Sequence, residues 1–176
     1  LYDASDSIRF DIVNRKVFLY GNAFIKYENT EIKADFIEID WVKNQIFAKG
    51  RIHSSRKMSG YPHFKEGTKT FKAKEMTYNY KSKKGIIKEL VTKEGEAFIH
   101  GKKVKKSRSE VMYLKKGEYT TCNAEKPHFS IRANRIKVIP GKKIVSGPAY
   151  LTVFNVPTPL FLPFGFFPNT SKESSG

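Results

Sequence analysis

The chain is poor in the residues that build cross-linked or catalytic scaffolds. One of its 176 residues is cysteine, Cys122, which excludes an internal disulfide framework and a cysteine-based zinc site. The histidines, His53, His63, His100 and His128, share no metal-ligand spacing. There is no G-x-S-x-G, no phosphate-cradling glycine loop and no paired-carboxylate motif, so neither catalysis nor a cofactor is expected. Acidic side chains are scarce: 17 Asp and Glu stand against 33 Lys and Arg, a net charge of +16. Helical periodicity is missing as well. The nearest candidate, residues 102–116, is too basic and too poor in spaced apolar positions. Apolar residues make up only 39%, but 14 Phe and 9 Tyr can still build a core, which excludes a disordered basic tail.

The charge is uneven. Residues 1–50 carry 7 basic and 8 acidic side chains, residues 51–176 carry 26 and 9, and residues 144–171 carry none. That uncharged run is long enough for a membrane helix, but Pro148, Pro157, Pro159, Pro163 and Pro168 each remove a backbone donor and forbid one. Residues 1–7 have neither a basic nor an apolar leader pattern, so a signal peptide is expected to be removed or to lie outside the chain.

What is present is strand. Residues 8–12, 37–41 and 129–132 alternate apolar and polar, the period that turns one face inward and one to water. Turn signals come at 13–16, 42–44, 82–85 and 140–143, so many short strands in a sandwich or roll are expected. A repeat runs through them, starting at Ser5, Ala34, Ala73 and Ala133. Each unit is a small residue, an apolar pair two apart, a turn and a second strand. The small residue is expected where strands or layers approach closely.

Two features of the residues leave alternatives open. Several strands are apolar on both faces, at residues 17–20, 24–25, 46–47 and 86–87. They form either an ordinary sandwich core or layers splayed to hold an apolar chain. The densest basic cluster is Lys102, Lys103, Lys105, Lys106 and Arg108, with Lys81, Lys83 and Lys84 in a turn. It reads as a solvated, edge-protecting face, as an attractor of phosphorylated lipid, or, with Tyr78, Tyr80 and Tyr113, as a single-strand nucleic-acid surface.

The repeat, with its trailing Ala48-Lys49-Gly50, resembles the OstA-like jellyroll of lipopolysaccharide transport proteins. The end of the chain is more specific. Thr120-Thr121-Cys122, then Phe129-Ser130-Ile131-Arg132-Ala133, then Val156-Pro157 and the run to Pro168 resemble the segment preceding the barrel in the family of LPS-assembly outer-membrane proteins (LptD). A second cysteine close after the first, frequent in that family, is absent. The resemblance implies an all-β fold, a β-jellyroll of repeated antiparallel hairpins in a V-shaped two-sheet sandwich. It would span residues 1–153, with a proline-aromatic junction at 154–176 leading to an outer-membrane barrel.

The same resemblance implies a periplasmic, non-catalytic domain that binds lipopolysaccharide by its acyl chains. On the alternation, the apolar interior is Ile8, Phe10, Leu19, Ile25, Ile37, Ile39, Ile46, Met76, Tyr78, Ile86, Phe98, Ile131, Ile136, Val138, Leu151 and Val153. The junction is Pro157, Pro159, Leu160, Leu162, Pro163, Phe164, Phe166, Phe167 and Pro168. The implied partners are a periplasmic bridge protein of the same jellyroll family, joined by β-strand pairing, the chain's own barrel, and a plug lipoprotein. No nucleic acid is expected on this reading. Cys122 would be half of a disulfide to a cysteine outside these residues, in an oxidising compartment.

Overall fold

The computed structural model describes residues 1–52, 58–67, 69–94, 97–124 and 127–168. None of them is helical. The chain divides into two compact units, Leu1–Leu90 and Val91–Gly176. Both are built of antiparallel strands, most of them in hairpins, so the fold class is all-β, the jellyroll of repeated hairpins that the family resemblance implies.

Unit 1 runs through β1 (Tyr2–Asp3), β2 (Ser7–Asp11), β3 (Lys16–Tyr27), β4 (Thr30–Asp40), β5 (Gln45–Lys49), β6 (Arg51–Ile52), β7 (Met58–Ser59), β8 (His63–Glu66), β9 (Lys69–Lys72), β10 (Glu75–Asn79) and the start of β11 (Lys84–Glu94). Three of its hairpins turn at 12–15, 41–44 and 80–83. Each turn is closed the same way. Asp11, Asp40 and Asn79 accept the backbone N–H three residues on, at 2.8–2.9 Å, and Arg15, Asn44 and Lys83 take positive φ of 51, 54 and 57°. A short polar side chain at the strand end thus replaces a backbone turn bond and sets the register of the returning strand.

The strands also bend together. The β3–β4 register slips between Tyr20 and Ala23, where Gly21 and Asn22 take positive φ of 72 and 40°. Beyond the slip β4 changes partner: residues 36–40 pair with β5, residues 30–33 with β8. One hairpin therefore serves two layers, joined at the bulge. The layers meet where Phe64 of β8 packs on Tyr78 of β10, ring centroids 5.3 Å apart. At the bend a Cβ on Gly21 would collide with Asp6, and one on Gly60 with Asp35. Arg51 holds both carboxylates, at 3.0 and 3.8 Å.

Unit 2 holds the rest of β11, then β12 (Ala97–Lys106), β13 (Met112–Thr120), β14 (Phe129–Ile139), β15 (Lys143–Ser146), β16 (Ala149–Val153), β17 (Val156–Leu162) and β18 (Gly165–Pro168). Residues 102–116, the nearest thing to a helix in the sequence, are two strands and their turn. β14 is shared in the same manner as β4: residues 129–133 pair with β16, residues 136–139 with β15. At the changeover four small residues lie side by side, Gly101, Gly117, Ala133 and Ala149. Lys116, beside them, has φ 51°. The repeat's small residues Ala34, Ala73 and Ala133 are all buried, while the first, Ser5, is exposed and donates its N–H to Gly21 O at 2.8 Å.

Candidate functional site

Register decides what the apolar strands of unit 1 make together. Phe10, Val17, Ile39, Ile46, Tyr78 and Gly85 stand opposite one another across β2, β3, β4, β5, β10 and β11. Ile8, Leu19, Ile37, Ala48, Met76 and Ile87 form the next row. Directly opposed side chains in an antiparallel sheet point the same way, so the two rows make one apolar face five to six strands wide. Eight of the nominated interior residues lie on it. Val17, Ala48 and Ile87 complete it; the first two lie two residues from nominated ones, Leu19 and Ile46, and that spacing is the signal that finds them, whereas Ile87 is adjacent to Ile86 and only register picks it out. Ile25 lies in the facing layer, in register with Ile32 and then Phe64.

The face is closed along most of its length. Val17, Leu19 and Ile37 are fully buried, as is Ile32 across from them. The Tyr78 hydroxyl donates to Glu66 Oε1 at 3.2 Å, and burial followed by the Glu66 charge holds its proton far above the usual tyrosine range. At β2 the face opens. Ile8 is 38% and Phe10 54% exposed, with Tyr2 edge-on to Phe10 at 6.5 Å. These two share the face but are not buried, because among the described residues no strand pairs beyond β2 to cover them.

One nominated residue points the wrong way, and a second is less buried than its neighbours. Ile86 is opposite Thr77 on the outer face and 47% exposed, whereas its neighbour Ile87 turns in. Phe98 is only half-buried, while Ala97 and Ile99 on either side of it are core. In both places adjacent apolar residues hide the alternation, and the partner strand picks which one enters. The outer face carries its own half-buried aromatics, in the strands that read as apolar on both faces: Phe36 contacts Phe18, Tyr20 and Phe47, with centroids 5.2–6.4 Å apart.

In unit 2, Ile136 and Val138 are buried as nominated, within the rows Val104–Leu114–Ile136–Ser146 and Lys106–Met112–Val138–Ile144. Ile131 and Leu151 are half-buried partners, and Val153, opposite Phe129 at the strand end, is 38% exposed and not interior. The lysine cluster does not form one face. Lys106 is buried, Lys102 and Arg108 lie at the bend and in a turn, and only Lys103 and Lys105 share a side. Tyr78, a base-stacking candidate in the sequence, is core, and Tyr80 packs on Tyr27 at 5.3 Å.

The proline-aromatic run is paired, not free. β17 lies on β16 at the sheet edge, where Pro157 and Pro159 need donate no ladder bond, and β18 lies on β15. Pro157, Pro159, Leu160, Leu162, Pro163, Phe164 and Phe166 are all exposed. The side chains of Phe167 and Pro168 lie outside the described residues, as does His53. Cys122 is a free thiol, with Sγ 3.5 Å from His128 Nδ1. Hydrogen bonds from the backbone of His128 and then Ala124 hold its pKa below the usual thiol range. Among the described residues no group of three metal-binding side chains converges.

Residues 144–176, from β15 onward, match the family model described as LptD protein. The LPS-assembly protein LptD of Acinetobacter baumannii is 28% identical over 163 residues, covering 90% of this chain. A distant structural overlap, TM-score 0.32 and 11% identity, covers 95% of this chain and 92% of the crystal structure of LptH, titled the LptA homologous periplasmic component of the lipopolysaccharide transport device of Pseudomonas aeruginosa. The chain thus resembles the LptD proteins, by its proline-aromatic end to the family and by nine-tenths of its length to a relative of which it spans 18%.

Proposed function

We propose that the chain is a non-catalytic, periplasmic lipopolysaccharide-binding domain of an outer-membrane assembly protein. It accepts the lipid from a bridge protein of like fold and passes it toward a barrel and its plug lipoprotein. Residues 1–153 are the binding domain and 154–176 the junction. The observation that carries this reading is the apolar face of unit 1 and its opening at Ile8 and Phe10. An acyl chain needs only contact and removal from water, about 25 cal/mol per Å² of apolar area. It enters beside Phe10, because the deeper residues already touch one another. Within the described residues β2 pairs with β3 alone, so a partner's strand added to its free edge extends both apolar rows. The chain supplies a path, and the driving force comes from elsewhere. Cys122 is the chain's half of a disulfide to a cysteine beyond residue 176.

Photoreactive residues on β2 test this. Positions 8 and 10 face the rows and position 9 faces away, on one strand at one edge. Crosslinks to purified lipopolysaccharide are expected from Ile8 and Phe10 positions and not from Arg9. Equal yields at all three, or none at 8 and 10, defeat the reading.

A further inference from the structure

The outer face of unit 2 is basic in a way the sequence conceals. Register places Lys103, Lys115 and Arg135 side by side, and Lys105, Tyr113, Lys137, Val145 and Phe166 in the adjoining row. Neighbouring strands are about 4.8 Å apart, so like charges stand at a spacing where they repel. All five cations are exposed, and none of them forms an ion pair within the described residues. The nearby Glu118 is already engaged by Arg132 at 3.2 Å and by Ser130. The cations border a depression of about 560 Å³ that reaches Val145 and Gly147. An anion laid on this face relieves the repulsion.

The end of the row narrows the choice of anion. Phe166 is 60% exposed and carries Lys143 Nζ over its ring at 5.5 Å; Phe164, 64% exposed, meets it edge-on at 6.1 Å. A soluble phosphate has no use for exposed phenyl rings beside the cations. A base would stack on them, but ammonium groups already sit over Phe166 and over Tyr113, where Lys137 Nζ is 5.6 Å from the centroid. We propose that this face docks on an anionic phospholipid surface. The five cations meet headgroup phosphates, and Phe164 and Phe166 enter the interfacial layer. The inference does not depend on what the interior of unit 1 holds.

Sedimentation with vesicles of phosphatidylcholine, with and without phosphatidylglycerol, tests it on the chain as it stands. Binding is expected only with phosphatidylglycerol and is lost as salt shortens the screening length. The triple variant Lys105→Ser, Arg135→Ser, Lys137→Ser should bind on the order of a hundredfold more weakly, since each cation near such a surface contributes roughly fivefold. The triple variant Lys33→Ser, Lys65→Ser, Lys72→Ser removes the same charge from exposed positions of unit 1 and should bind as the parent does. All substituted side chains are exposed, and circular dichroism checks that both variants fold. Equal losses in the two variants would reduce the effect to net charge. Binding indifferent to phosphatidylglycerol, or tighter binding of a single-stranded oligonucleotide through the same residues, would also overturn the proposal.

Discussion

His63 sits between two lysines. On its strand-to-strand neighbours, register puts Lys33 on one side and Lys72 on the other, with Lys65 two residues along. Burial first, and then the charges of Lys72, Lys33 and Lys65, hold its pKa below the usual histidine value. The folded protein therefore keeps His63 neutral where the unfolded chain takes up a proton. Stability from this residue is present above the unfolded pKa, about 6.5, and is lost as pH falls from there toward the lowered folded value. The urea midpoint should drop across that window, and His63→Gln should flatten the drop. An unchanged slope in the variant assigns the pH dependence to other groups.

At the scale of elements, the bend is what makes hairpins into layers. One tight point of the bend in unit 2 is Gly101, where an added Cβ would lie 2.7 Å from Val104 Cγ2 and 2.9 Å from Leu114 Cδ2. Both neighbours are buried, so neither can swing away freely. Gly101→Ala should cost about 1–3 kcal/mol in chemical denaturation, the usual cost of overpacking. Gly147, at the same level, has only Arg135 O at 3.9 Å, and its alanine variant should be within about 0.5 kcal/mol of the parent. Similar losses at both would mean that glycine flexibility, and not close packing, governs the bend. The turns were legible in advance because their signal is local: Asp11, Asp40 and Asn79 act on backbone three residues away. The choice between Ile86 and Ile87, or Phe98 and Ile99, was not. It depends on the next strand, where Met76 and Thr77 stand opposite Ile87 and Ile86, and Tyr119 and Thr120 opposite Ile99 and Phe98.

At the scale of the molecule, each unit turns an apolar face inward and presents something different outward. Unit 1 shows half-buried aromatics on its outer face, and unit 2 shows cations and exposed phenyl rings. Cys122 links this scale to whatever lies beyond the chain. With one cysteine in 176 residues, its bond under the proposed function must reach outside them. Peptide mapping of the oxidised full-length protein should find the Cys122 peptide joined to one from beyond residue 176. Quantitative alkylation of Cys122 there, without reduction, would remove that part of the proposal. In the isolated chain the thiol should alkylate readily, since its lowered pKa raises the thiolate fraction.

The sequence by itself determined the class of the fold, the hairpin turns, the small residues at the bends and the likeness of the Cys122 and proline-aromatic segments to one family. All of these are carried by neighbours in the chain, through alternation, turn chemistry and contiguous motifs. Tertiary structure alone decided that Ile8 and Phe10 face inward yet stay exposed, because burial depends on whether another strand lies beyond the edge. It alone drew Lys103, Lys105, Lys115, Arg135 and Lys137 into one face. Those residues come from three strands, and only their hydrogen-bonded register makes them neighbours.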